Sequence, residues 1–329
     1  MDTSHQILVM GAGAWGTALA LHAARAGYCV HLWARKVSPL PSRAMPRLPE
    51  FPLPSTICVS SDLPTSLATP LDCVLIAIPT QSIASVMPFL PQGVPALLCC
   101  KGLEKDTLSF PLDILARERP DLSGAVLSGP NFAREIAAGL PAASVIAASD
   151  ITFARVFVEK LATPLFRLYT SSDVKGVQLG GAAKNVIALA AGITMGACLG
   201  ENARAALITR GLAEITRLAF ALGAQPATLA GLAGLGDLLL TCTSSISRNY
   251  QLGFDLGKGA SFDKALSSLP GVAEGVTTAS ALLALAHRYQ VDVPITECIT
   301  AFLEGRITLS QAQQLLLSRP LKEERFPSL

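Results

Sequence analysis

Ile7-Leu8-Val9-Met10-Gly11-Ala12-Gly13-Ala14-Trp15-Gly16 joins an apolar run to a glycine-rich turn, and an Ala/Leu-rich stretch follows it. That order predicts a strand, a tight turn and a helix start, the arrangement that binds a dinucleotide. Each glycine has its own physical role. Gly11 permits the turn, Gly13 lets backbone approach a pyrophosphate, and Gly16 lets the helix pack close to the strand. The unpaired N–H groups at the helix N-terminus then face the phosphates. The alternative, a glycine turn with no ligand, does not account for the strand before it and the helix after it.

A second strand is expected from Cys29 to Ala34, and a site for NAD(H) usually closes that strand with Asp or Glu on the ribose 2′-OH. This chain has Arg35 and Lys36 there. Two cations suit a 2′-phosphate, and the planar guanidinium of Arg35 suits it better than an ammonium. NADP(H) is therefore the expected cofactor, with NAD(H) as the second choice. A solvated charge pair at a strand end is the alternative reading.

Outward from this motif, strands alternate with helices to about residue 170, which predicts an α/β, doubly wound Rossmann-type domain over residues 1–172. The connector holding Pro39, Pro41, Pro46, Pro49, Pro52 and Pro54 cannot be an ordinary helix and is expected to be an extended loop. From Asp173 onward the pattern turns helical, with helices expected over 173–195, 201–222 and 277–288. The second domain, 173–329, is thus expected to be mainly α-helical. At 329 residues and half apolar, the chain has material for both cores.

Composition excludes several classes. A net charge of +2 with scattered cations does not fit a nucleic-acid binder. Eight cysteines show no metal-ligand spacing and read as small buried hydrophobes in a reducing cytoplasm, so no metal is expected. The four histidines fall in no catalytic motif. No secretory leader is expected. The uncharged stretch from Cys73 to Cys100 is long enough to span a bilayer, but Pro79, Pro88, Pro91 and Pro95 interrupt it. It parses as strand (73–77), helix (81–90) and strand (96–100) in a buried parallel sheet. The run from Asn185 to Gly200, between Lys184 and Glu201, is expected to be too short for a span.

Reduction of a ketone by hydride puts negative charge on the carbonyl oxygen, so a proton donor or cation must stand nearby. Lys184 is the best candidate, in Gly180-Gly181-Ala182-Ala183-Lys184-Asn185, read as a glycine-rich helix start where small residues admit other groups. Partial desolvation there eases proton donation. A lysine snorkelling from a helix face is the alternative. Lys101 follows the strand expected over 96–100, at the carboxyl end where α/β sheets bind ligands. Asp237 is an isolated carboxylate in an apolar stretch and needs a partner, for which Lys184 is chosen over a helix-cap role. Ser247, Arg248 and Asn249 together offer hydroxyl, guanidinium and amide donors suited to a phosphate, against a solvated helix start.

Taken together, GAGAWGTALA (11–20), CKGLE (100–104), SGPNFAREIAAGLP (128–141), GVQLGGAAKNVIALAAGI (176–193), NARAALITRGLAEI (202–215), GLAGLGDLLLTCTSSISRN (231–249) and AEGVTT (273–278) closely resemble the bacterial glycerol-3-phosphate dehydrogenases that use NAD(P). The resemblance covers nearly the whole chain. It implies a Rossmann-type domain followed by a helical one, interconversion of dihydroxyacetone phosphate and sn-glycerol 3-phosphate, and a role in glycerophospholipid synthesis. It implies that Lys184 is the acid/base, with Lys101 and Asp237 completing the site. Gly129, Asn131, Thr241, Ser247, Arg248 and Asn249 would lie at the substrate. Ala14, Trp15, Arg35, Lys101, Ala133, Arg248, Val272 and Glu274 would touch the cofactor. The chain departs from the family at Asn131, where Ser or Thr is usual, and at Met195, which replaces an acidic residue expected in the loop after the Lys184 helix. The proline-rich connector is shorter and replaces a helix. A small-molecule substrate is the expected partner, with a cytoplasmic location, no nucleic acid and no membrane span, and a homodimer as one expected assembly. The rival activities are a β-hydroxyacid or 6-phosphogluconate type dehydrogenase and a non-catalytic NADPH sensor. The first would need a carboxylate site, and the second has no use for Lys184, Asp237 and Lys101 together.

Overall fold

The computed structural model describes residues 5–36, 43–62, 70–269, 271 and 273–318. The chain divides into two compact units, residues 1–101 with 109–174 and residues 102–108 with 175–329.

The first unit carries strands β1 (Gln6–Met10), β2 (Cys29–Trp33), β3 (Ala44–Met45), β4 (Leu48–Pro52), β5 (Ile57–Ser60), β6 (Cys73–Ile76), β7 (Ala96–Leu98), β8 (Gly124–Ser128), β9 (Ala142–Ala147) and β10 (Phe166–Ser171). Its main sheet runs β10-β9-β8-β7-β6-β1-β2-β5. From β1 the chain builds outward through β2 to β5, then returns to β6 on the other side of β1, so the reversal point lies between β1 and β6. Strands there are buried on both faces: Ile7 through Met10 and Cys73 through Ile76 are at most 1 % exposed, which is why they read as unbroken apolar runs. Helices α1 (Ala14–Arg25), α2 (Ile83–Val86), α3 (Pro111–Glu118), α4 (Ala133–Ala138) and α5 (Ile151–Leu161) complete the unit.

Three sequence expectations need correction in this unit. The proline-rich connector is not wholly a loop, since β3 and β4 pair antiparallel within it, while residues 37–42 lie outside the described ones. Prolines are tolerated in such a two-stranded edge because few N–H groups are needed. The helix expected over 81–90 is one α-turn between 3₁₀ turns Thr80–Ser82 and Met87–Phe89, because Pro88 offers no N–H to continue it. The sheet is not wholly parallel either: β9 pairs antiparallel with β8, and β10 follows β9.

The second unit is helical: α6 (Val174–Gly196), α7 (Glu201–Ala221), α8 (Pro226–Leu229), α9 (Asp237–Thr243), α10 (Arg248–Gly257), α11 (Phe262–Ser267), α12 (Glu274–Arg288), α13 (Pro294–Leu303) and α14 (Leu309–Leu317). Helix α6 begins well before the glycine pair, so Lys184 sits in mid-helix rather than at a helix start, and Met195 lies within the helix rather than in a loop. By length and composition alone the helix could span a bilayer, but 94 % of its most apolar stretch is buried inside the structure. Pro226–Thr243 passes the same length and hydropathy test with 39 % buried. Apolar on all sides, α6 is a core helix.

Helix α6 meets α10 backbone to backbone. A Cβ placed on Gly192 would stand 2.0 Å from the Tyr250 carbonyl oxygen, and one on Gly253 would stand 2.1 Å from that of Leu189. Gly196 and Gly257 repeat the exchange one turn further on, at 2.1 Å from Phe254 O and 2.3 Å from Ile193 O. The spacing of four on both helices puts these glycines on facing stripes, and it fixes where α10 starts relative to Lys184.

Glu214 on α7 is buried and accepts hydrogen bonds from Ile295 N at 2.6 Å, Thr296 N at 3.3 Å and Thr296 Oγ1 at 3.3 Å, satisfying the first turn of α13. Burial pushes its carboxyl up to about 7, against the opposing pull of those donors and of Arg217. A carboxyl raised in the folded state adds stability below its unfolded value of 4.5 and loses it as pH rises towards about 7. Glu214→Gln should therefore flatten that fall, which a carboxyl so shifted sets at about 3 kcal/mol. Urea unfolding at pH 5 and pH 8 checks this; the same pH slope in both proteins would refute it.

The cysteines are all free, as expected, but not all buried: Cys73, Cys99, Cys242 and Cys298 are, whereas Cys58 and Cys198 are exposed.

Candidate active site

The glycine turn lies at the reversal point of the sheet, tied down by Gly11 N to Trp33 O at 2.9 Å and Ala77 N to Met10 O at 2.9 Å. Gly11 has φ +109°, and a Cβ there would meet Ala77 O at 2.6 Å. A Cβ on Gly16 would collide with Gly11 O at 1.7 Å, so the close approach is between the helix and the turn itself. Gly13 faces open space, with nothing within 4 Å of a Cβ. It precedes the first turn of α1, which holds no acidic side chain. Free N–H groups beside a position with no side chain fit a pyrophosphate. Ala14 starts α1, and Trp15 donates its Nε1–H to Cys99 O at 2.9 Å, tying the turn to the end of β7. Arg35 and Lys36 are exposed just past β2, with no hydrogen bond or ion pair among the described residues.

Beyond the ends of β7 and β8, Lys101 Nζ donates to Gly129 O at 3.1 Å. Asn131 Nδ2 donates to Gly129 O at 3.3 Å and to Ser144 Oγ at 2.5 Å. Ala133 is the first residue of α4. The structure thus groups Lys101, Gly129 and Asn131, three of the residues singled out from sequence. Ser144 joins them without any sequence signal, as one serine in an apolar strand.

In the helical unit Lys184 Nζ donates to Asp237 Oδ1, and the carboxylate is fully buried beside a lysine only 8 % exposed. The pairing chosen from sequence is present, and its geometry has two causes. Gly180, one turn before Lys184, has no side chain where Ala233 O would stand 2.4 Å from a Cβ. A π-turn over Leu232–Gly236 then delivers Asp237 as the first residue of α9. Thr241 Oγ1 donates to Asp237 O at 2.6 Å.

Ser247, Arg248 and Asn249 have separate local roles. Ser247 Oγ accepts from Tyr250 N at 3.3 Å and caps α10. Asn249 is buried, with Nδ2 donating to Asn185 Oδ1 at 2.9 Å and Oδ1 accepting from Gly275 N at 3.0 Å. Arg248 is exposed at the first helical position and makes no hydrogen bond or ion pair among the described residues. A cation at a helix N-terminus opposes the helix dipole, whereas an anion there satisfies both. Asn185, next to Lys184, was not picked out from sequence, although a buried amide in an apolar helix demands a partner. Glu274 starts α12, and Val272 lies outside the described residues.

The family model for the NAD-dependent glycerol-3-phosphate dehydrogenase N-terminus matches residues 6–154, and that for the C-terminus matches residues 173–314. A glycerol-3-phosphate dehydrogenase (NAD(P)+) of Gluconobacter oxydans is 50 % identical over 98 % of this chain and all of its own length. One from Sphingopyxis alaskensis is 45 % identical over 96 % of this chain and 97 % of its own. The crystal structure of glycerol-3-phosphate dehydrogenase from Coxiella burnetii superposes with a TM-score of 0.91 at 38 % identity, covering 97 % of this chain and 100 % of that one. With both family models matched and these relatives alike over nearly their whole length, the chain belongs to the NAD-dependent glycerol-3-phosphate dehydrogenase family.

Proposed function

We propose that this chain interconverts dihydroxyacetone phosphate and sn-glycerol 3-phosphate with NAD(P)(H), and that the buried Lys184–Asp237 pair is the observation that carries the mechanism. The bound dinucleotide supplies the hydride. As hydride adds at C2 the carbonyl π bond breaks and its electron pair becomes an alkoxide, to which Lys184 Nζ gives a proton. Asp237 holds that ammonium in place and offsets its charge, and Thr241 ties down the Asp237 backbone. Arg248 is assigned the phosphate, on its exposed guanidinium, unpaired among the described residues, beside the N–H groups of α10. Ser247 keeps a hydroxyl proton to give, and Asn249 a second amide hydrogen. Lys101, Gly129 and Asn131 are assigned to the substrate, and Gly11, Gly13, Ala14, Trp15, Gly16, Ala133, Val272 and Glu274 to the cofactor. The reading places the enzyme in the cytoplasm, as a homodimer, supplying glycerophospholipid synthesis. Oxidation of NADPH on addition of dihydroxyacetone phosphate tests it, and no oxidation of either NADPH or NADH would overturn it.

Arg35 is assigned the 2′-phosphate of NADP(H), with Lys36 beside it. Arg35→Asp removes a charge-assisted contact and adds repulsion, so it should weaken NADPH about 10- to 100-fold while NADH changes little. Titration of each dinucleotide measures this. An unchanged preference would move the assignment to Lys36 or to residues 37–42.

A further inference from the structure

Ser144 is completely buried at the start of β9, where the antiparallel turn-back beside β8 brings it under the Gly129–Asn131 turn. A Cβ on Gly129, at φ +152°, would stand 2.7 Å from Ser144 Oγ and 2.9 Å from its Cα. Serine and turn are therefore in direct contact. The same atom of the Asn131 carboxamide faces both Ser144 Oγ and Gly129 O. A backbone carbonyl only accepts, so that atom is the amide nitrogen, and the hydrogen bonds fix which way the amide points. Its oxygen is then turned away from both and is buried with no hydrogen-bond partner among the described residues. Ser128 Oγ, at the end of β8 just before the turn, is likewise buried and unpartnered among the described residues. Buried polar atoms left unpaired are costly and rare, and a group of them at the carboxyl end of a sheet strand points to a ligand.

We propose that Ser144 is a positioning residue which, with Gly129 O, holds the Asn131 carboxamide so that its oxygen accepts the hydroxyl of the three-carbon substrate. This rests on the dehydrogenase reading above. A hydroxyl side chain at position 131 could donate or accept, whereas this fixed amide presents an acceptor only. The contact therefore selects a substrate bearing a hydroxyl at the carbon remote from the phosphate.

The test compares dihydroxyacetone phosphate with hydroxyacetone phosphate, which lacks that hydroxyl. Ser144→Ala should raise KM for dihydroxyacetone phosphate about tenfold and change KM for the deoxy analogue less than about twofold, the size of one hydrogen bond. The dissociation constant for NADPH should stay as in the wild type. Asn131→Ala should give the same pattern, and adding Ser144→Ala to it should cost less than about twofold more, because both act through one contact. An equal effect of Ser144→Ala on both substrates, no effect on either, or a full additive loss in the double variant would overturn the proposal while the wild-type activity stood. A wild type inactive on dihydroxyacetone phosphate would instead remove the dehydrogenase reading, and this proposal with it.

Discussion

Lys184→Ala should lower turnover of dihydroxyacetone phosphate by about 10²- to 10⁴-fold, the usual share of a positioned general acid. The dissociation constant for NADPH should barely move, since the loss falls on the forming alkoxide and not on the dinucleotide. The same change also leaves Asp237 buried without its cation. Breaking a buried pair by removing one partner costs about 3–5 kcal/mol of stability, so the turnover must be measured on folded protein, with a thermal midpoint alongside. Asp237→Asn separates the two effects. Added to Lys184→Ala, it removes the buried carboxylate's charge but restores no proton donor, so the double variant should regain stability over Lys184→Ala and regain no turnover. A Lys184→Ala enzyme within a few-fold of wild-type turnover would remove the lysine from the mechanism.

What the sequence revealed and what it hid divide along a physical line. The glycine turn was legible because strand, turn and helix signals are local and each glycine answers a local steric need, as Gly11 and Gly16 do against Ala77 O and Gly11 O. Asp237 was legible through a cost: a carboxylate in an apolar stretch had to be paired, and Lys184 was the cation with the matching problem. The extent of α6 was legible as well, expected over 173–195 and observed over Val174–Gly196; what misled was the glycine pair before Lys184, which looked like a helix start when Gly180 serves close contact with Ala233 and Gly234. The facing glycine stripes of α6 and α10, far apart in sequence, have no local signature at all. Ser144 was hidden for the same reason. It meets Asn131 across an antiparallel strand pair, a pairing between residues far enough apart to leave no local signal.

Arg248→Ala should raise KM for dihydroxyacetone phosphate and lower turnover as well. Each charge-assisted hydrogen bond to the phosphate is worth about 1.5–3 kcal/mol, so loss of a two-bond contact costs about 10²- to 10⁴-fold in kcat/KM. Turnover falls with it because binding energy from the remote phosphate holds the ketone in place for reaction. The guanidinium is well placed for this. It is exposed, unpaired among the described residues and seated on the first turn of α10, whose position against α6 the facing glycines fix. Little stability should be lost, since the side chain is exposed and opposes the helix dipole. Dihydroxyacetone without its phosphate supplies the decisive comparison. Wild type should reduce it poorly, and Arg248→Ala should lose little more on it. Equal damage to both substrates would show Arg248 serving the cofactor or the fold, and the phosphate would then have to be held by Ser247, Asn249 and the N–H groups of α10 alone.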